Sequence, residues 1–270
     1  MMTTKKRVHL VLLGALMLLA TACGSGTNTP SSSSDKPGSS DAVLANIAKT
    51  KILRVGTDAT LKPFEYKKGD RFEGFDIEMV EALAKELGAE KVEFVDTEFK
   101  GLIPGLQAKK FDMIASAMYI TDERKKTIDF SDAYYPSGVS LLVKKDNNTV
   151  NGMEDLKGKK VAVQIGTANV KFVEDNYKDI EVVKVDKNTE LFLELETGKV
   201  DAVVTSFPSA KGYEKENAGT VKVLPNKLTE DYYGFGVSKE NTEFTKAINE
   251  ALKKMKEKGI TDEIIKKWVE

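Results

Sequence analysis

Short apolar runs alternate along this chain with longer stretches of helical periodicity. Residues 52–56, 92–95 and 111–115 read as strands, the last carrying the buried-looking run Asp112-Met113-Ile114-Ala115-Ser116. Between the first two, Ile77, Val80, Leu83, Ala84 and Leu87 recur at the three- and four-residue spacing of one helix face, and Gly88 supplies the stop. A helix over 41–50 leads in, a turn at Lys68-Gly69-Asp70 breaks the first connection, Phe99 sits in a loop and a short helix spans 102–108. A second series follows, with strands over 160–163, 181–185 and 200–205, a helix opening at Thr167 and another over 189–197. Such alternation predicts α/β lobes, each a mostly parallel sheet flanked by helices. The two series echo each other at Leu106-Gln107-Ala108-Lys109-Lys110-Phe111-Asp112 and Leu195-Glu196-Thr197-Gly198-Lys199-Val200-Asp201. That period is far too long for a solenoid, so two similarly built lobes are expected. The chain crosses between them near 137–143 and 230–236, giving lobes of residues 41–137 with 234–270 and 138–233. Helices over 242–258 and 261–268 close the chain. Two crossings make a hinge, and a ligand belongs in the cleft that it closes.

The beginning of the chain follows different rules. Lys5-Lys6-Arg7 precedes an apolar run over 8–20 that is short for a membrane span, and small residues then lead to Cys23. The pattern resembles a bacterial lipoprotein signal over 1–22, with Cys23 lipidated after cleavage. Residues 23–40 are rich in Ser, Gly, Thr and Pro and read as a flexible tether. Loss of residues 1–22 removes Lys5, Lys6 and Arg7 and shifts the formal net charge from −1 to −4. A mildly acidic body without a basic cluster gives no reason to expect nucleic acid as a partner. His9, the only histidine, leaves with the signal, and Cys23 is the only cysteine. That excludes Ser-His-Asp and Cys-His catalysis, His/Cys zinc sites and internal disulfides from the mature body. No metal or cofactor is expected.

Candidate chemistry concentrates in residues 116–135. Thr121 reads as an N-cap, with Asp122 and Glu123 in the first helical turn. Arg124 opposes the dipole of such a helix. It is either a solvated arginine paired with Asp122 or Glu123, or a fork held at a strand's C-terminal mouth to grip a carboxylate. Other loops at the same sheet edges carry Asp58, Leu61, Phe99, Ser116, Ala117, Met118 and Tyr119, then Gln164, Thr167, Ala168 and Ser206. Gly166-Thr167 opening a helix is either a plain N-cap or an anion site facing Arg124 across the cleft.

Several ordered motifs carry a family resemblance from about residue 51 onward. They are Gly56-Thr57-Asp58, Pro63-Phe64-Glu65, Gly74-Phe75-Asp76-Ile77-Glu78, Ile120-Thr121-Asp122-Glu123-Arg124, Asp129-Phe130-Ser131, Tyr134-Tyr135 and Gly166-Thr167. Together with the signal and tether they resemble the extracellular solute-binding proteins of family 3. The resemblance implies a two-lobed type II periplasmic-binding-protein fold, anchored outside the cytoplasm through Cys23. It implies a monomer that is not an enzyme and delivers a small zwitterion to separate ABC permease subunits. Arg124 would clamp the carboxylate with help from Thr167, Phe99 would pack on the side chain, and Asp58 would meet a distal polar or cationic group. Two positions depart from the pattern. Ser206 stands where a carboxylate usually receives the α-ammonium, and Tyr119 stands where a small hydroxyl residue is usual. An aromatic at 119 looks similar to ectoine-binding members, in which aromatics and an acid enclose a cyclic cation. Some relatives of the fold dehydrate cyclohexadienyl acids, so an enzyme is the more distant alternative.

Overall fold

A computed structural model describes residues 42–270; the signal, the tether, Cys23 and Asp41 lie outside them. The chain opens with α1 (Ala42–Thr50), β1 (Ile52–Thr57) and a small meander of β2 (Thr60–Leu61), β3 (Glu65–Lys68) and β4 (Arg71–Glu73). Then come α2 (Phe75–Glu86), β5 (Lys91–Asp96), α3 (Phe99–Gln107), β6 (Met113–Ile114), α4 (Asp122–Lys125), β7 (Asp129–Phe130) and β8 (Tyr135–Ser137). The middle holds β9 (Val139–Lys144), β10 (Lys160–Gln164), α5 (Ala168–Asn176), β11 (Glu181–Val185), α6 (Asn188–Glu196), β12 (Ala202–Ser206), α7 (Phe207–Glu216) and β13 (Val221–Val223). The chain finishes with β14 (Asp231–Tyr233), β15 (Gly236–Val237), α8 (Thr242–Glu257) and α9 (Ile260–Trp268).

These strands form two five-stranded sheets, ordered β5-β1-β6-β15-β7 and β11-β10-β12-β9-β13. Each is parallel through its helix-connected strands, β5-β1-β6 and β11-β10-β12. The remaining strands in each join antiparallel, so the sheets are mixed. β9 and β15 enter directly from the crossing segments β8 and β14, without a helical crossover, and lie antiparallel to β12 and β6. Between the sheets, β8 pairs antiparallel with β14, bringing the two crossing segments side by side. Alternation along the strands sorts the second core: Leu142, Ala162 and Val203 face α6 and α7, while Leu141, Val143, Val161, Val163 and Val204 face the other layer with Val173 of α5.

Three local findings bear on the site. Phe99 is not a loop residue but the first residue of α3; buried Phe99, Leu102 and Leu106 share one helix face, which extends the helix to 99. α4 is a single turn, so there is no macrodipole for Arg124 to oppose. Thr121 does cap it, its hydroxyl accepting from the Arg124 amide at 3.2 Å. α7, rich in polar residues and containing Gly212, has no apolar period that would mark it in the sequence, yet it follows β12 directly.

Candidate functional site

The C-terminal ends of β1, β6, β10 and β12 converge on a cavity of about 30 Å3 between the sheets. Ten expected residues line it: Leu61, Phe99, Ser116, Ala117, Tyr119, Arg124, Gln164, Thr167, Ala168 and Ser206. Asp58 and Met118 do not. Met118 is fully buried in a cluster with Phe99, Leu102 and Ile114, while Ala117 and Tyr119 on either side of it line the cavity. Asp58 is 2% exposed, beneath the wall. Glu65, Asn169, Asn188, Thr205 and Tyr233 also line the cavity; Glu65 stands in the Pro63-Phe64-Glu65 motif, but none of the five is among the residues expected at the site.

Arg124 is half-buried. Its Nη1 donates to the Tyr119 carbonyl at 2.8 Å and its Nη2 to the Gly166 carbonyl at 3.2 Å, while its Cζ lies 5.3 Å from the centre of the Phe99 ring. Burial lowers its pKa to about 10, still leaving it cationic at neutral pH. It makes no ion pair to a carboxylate among the described residues. Glu123, one of the proposed partners, instead pairs with Lys126 at 2.7 Å. Arg124 is thus a guanidinium whose hydrogen bonds go only to backbone carbonyls.

The opposite pole of the cavity is Glu65, at 1% exposure. Its Oε1 accepts from the Ser116 hydroxyl at 3.0 Å, and its Oε2 is buried without a partner. Burial, reinforced by Asp76 and Asp58, pushes its pKa well above the usual carboxylate range. Asp76 is buried too; it accepts from the Tyr134 hydroxyl at 2.8 and 3.0 Å and from the Ala117 amide at 2.7 Å, and burial raises it to about 7. The Ala117 bond holds that residue at φ 42°, in the left-handed region, so Asp76 fixes the backbone of the cavity wall.

Other residues tie the two sides together directly. Gln164 Nε2 donates to Asp58 Oδ2 at 2.5 Å, and Thr60 donates to Asp58 Oδ1 at 2.9 Å. Desolvation nevertheless raises Asp58 to about 6. The Asn188 amide and side chain both donate to Thr60 at 3.2 Å, and Lys100 pairs with Asp186 at the rim. Gly166, at φ 83°, permits the closest approach: a Cβ there would lie 2.8 Å from the Lys100 Cα. Thr167 does not cap α5 with its side chain; its hydroxyl donates to the Gln164 carbonyl at 2.7 Å. The Val170 amide donates to the Thr167 carbonyl at 3.3 Å, so the first-turn amides left for an anion are those of Ala168 and Asn169. Ser206 donates to Ser209 at 2.8 Å.

The aromatics expected to enclose a cation are already engaged. Arg124 covers Phe99, and Tyr119 stacks on Tyr233 with ring centres 5.3 Å apart. Among the described residues no group of His, Cys, Asp or Glu is arranged to hold a metal ion, and no helix is long and apolar enough to cross a membrane.

Two mixed α/β lobes joined by paired crossing segments, with a polar cleft between them, define a type II periplasmic-binding-protein fold. The sequence profile of the bacterial extracellular solute-binding proteins, family 3, matches residues 53–270, and the chain belongs to that family. It is similar to the arginine-binding extracellular protein ArtP of Bacillus subtilis, 34% identical over 267 residues, which cover 98% of each chain. A solved ancestral arginine-binding protein bound to arginine is 44% identical, with a TM-score of 0.78 over 82% of this chain and 99% of that one. The ancestral amino acid-binding protein AncCDT-1, a precursor of cyclohexadienyl dehydratase, is 42% identical, with a TM-score of 0.78 over 84% and 99%.

Proposed function

We propose that this protein captures an amino acid or a close derivative between its lobes and delivers it to the permease of an ABC importer. The observation that carries the reading is Arg124, a half-buried guanidinium whose fork meets only backbone carbonyls on the cavity wall. A ligand carboxylate would supply the charge-assisted partner that the protein withholds. The first-turn amides of α5 add donors from the other side. Family membership and the arginine-bound ancestral neighbour support the same class. The lobes are read as residues 41–137 with 234–270 and 138–233, moving about β8 and β14. Because the cavity is only about 30 Å3, entry of a ligand of amino-acid size requires the lobes to part.

Calorimetry with L-arginine, L-glutamine, L-histidine, L-cystine and ectoine tests this reading. At least one α-amino acid is expected to bind, and Arg124→Ala is expected to weaken it about 100-fold or more. Undiminished affinity in that variant would sink the proposal. Cys23 is proposed as the lipid anchor, so Cys23→Ser should move the protein out of the membrane fraction. The role proposed ends at binding: prephenate and arogenate are expected to remain unconverted, and turnover of either would overturn that part.

A further inference from the structure

Three buried polar atoms without hydrogen-bond partners belong to residues that line the 30 Å3 cavity: Glu65 Oε2, Asn169 Oδ1 and Tyr233 Oη. Glu65 comes from the meander beside the first sheet, Asn169 from α5 on the second, and Tyr233 from the paired crossing segments. A bare buried acceptor is costly, and a bare buried carboxylate oxygen more so. Their residues line one small cavity, so a group that enters is selected by what it can offer them. The complement of two oxygen acceptors and a hydroxyl is a group with three N–H donors, no acceptor and one positive charge, which describes a primary ammonium. Asp58 and Asp76 lie behind Glu65, and a cation seated against Glu65 would offset the burial that favours its protonated form; among the residues that line the cavity Arg124 is the one cation.

We infer that Glu65, with Asn169 and the Tyr233 hydroxyl, seats the ligand's α-ammonium, the role that Ser206 lacks the charge to fill. The inference rests on the amino-acid reading above. It supplies the countercharge missing at 206 from a different strand and a different lobe. A cyclic cation with one or two N–H groups would leave at least one of the three acceptors bare, so the seat favours primary amines over ectoine-like solutes.

Calorimetry on the full chain tests it with two ligand pairs: L-arginine with 5-guanidinopentanoate, and L-glutamine with 4-carbamoylbutanoate. The second member of each pair lacks only the α-amine. In the wild type, removing the amine is expected to cost about 100-fold in affinity. Glu65→Gln should cost the amino acid a similar factor while changing the amine-free partner by less than about threefold. Asn169→Ala should show the same pattern at about tenfold, and it keeps the test open should Glu65→Gln not fold. Equal losses for both members of a pair, or an amino acid bound by Glu65→Gln within about threefold of wild type, overturn the inference alone. Failure of the wild type to bind any of the four overturns the amino-acid reading along with it.

Discussion

The two walls of the cleft are made of different chemistry. The wall built on the first sheet and its meander carries the carboxyl and guanidinium groups that meet the cavity or lie just beneath it: Arg124, Glu65, Asp58 and Asp76. The wall built on the second sheet presents only neutral donors and acceptors there, namely Gln164, Thr167, Asn169, Asn188, Thr205 and Ser206. Charged groups need a fixed, hydrogen-bonded setting to be tolerated in a dry site, and the first wall provides it through Ser116, Tyr134 and the Ala117 amide. Neutral amides and hydroxyls can meet and leave that wall at little electrostatic cost. The division assigns recognition of charge to one lobe and closure to the other.

The contrast can be broken at several points. The largest expected effect is on the charged wall's support: Asp76→Ala strands the Tyr134 hydroxyl and the Ala117 amide, and should lower unfolding free energy by roughly 2–4 kcal/mol in urea titrations. An unchanged midpoint would show that the wall is not held from behind. Next, Gly166→Ala puts a Cβ against the Lys100 backbone and should weaken ligand binding about tenfold, and because φ there is 83° it should also lower the melting temperature of the ligand-free protein by a few degrees. Small-angle scattering should show its ligand-bound form more open than that of the wild type.

A smaller effect concerns protons. Asp58 and Asp76 titrate near 6 and 7 in the folded protein, and Glu65 is raised as well. Their unfolded values lie near 4, so between those limits the native state binds more protons than the unfolded one. Stability should therefore fall as pH rises from about 4 to about 7, and Asp76→Asn should flatten that slope in thermal melts. A melting temperature that climbs over this range would contradict the buried-carboxylate account. The smallest effect tests the neutral wall. With the ammonium seated at Glu65, Ser206→Asp should change affinity by less than about fivefold, whereas a gain well beyond that would return the role to position 206.

How much of this was legible in the sequence depended on whether a residue's signal was local. Periodicity located β1, β5, β10 and β11 to within a residue or so, because burial imposes a repeat that the chain must carry. Arg124 announced itself as a charge out of place beside its motif, even though the dipole argument failed once α4 proved to be one turn. Glu65 did not. It is an ordinary acid after Pro63-Phe64, and its meaning comes from Ser116, a residue 51 positions away that only the fold brings within hydrogen-bonding distance. Met118 failed for the converse reason, since its neighbours on both sides line the cavity while its own side chain packs with Phe99, Leu102 and Ile114. The antiparallel members of each sheet also escaped local reading, because strand direction is set by the length of a connection rather than by the residues inside the strand.

The bonds across the cleft have a thermodynamic consequence. Asp58 with Gln164, Thr60 with Asn188, Lys100 with Asp186 and Arg124 with the Gly166 carbonyl all join the walls using protein groups alone. Shut conformers are thus stabilised before any solute arrives, and a solute shifts the population only by its preference for the shut form over the open one. A ligand carboxylate competing with Gly166 for the Arg124 fork gains the difference between two partners rather than the full value of one. Discrimination among solutes is then set by small differences, and the permease meets a mixture in which being shut and being loaded are separate properties.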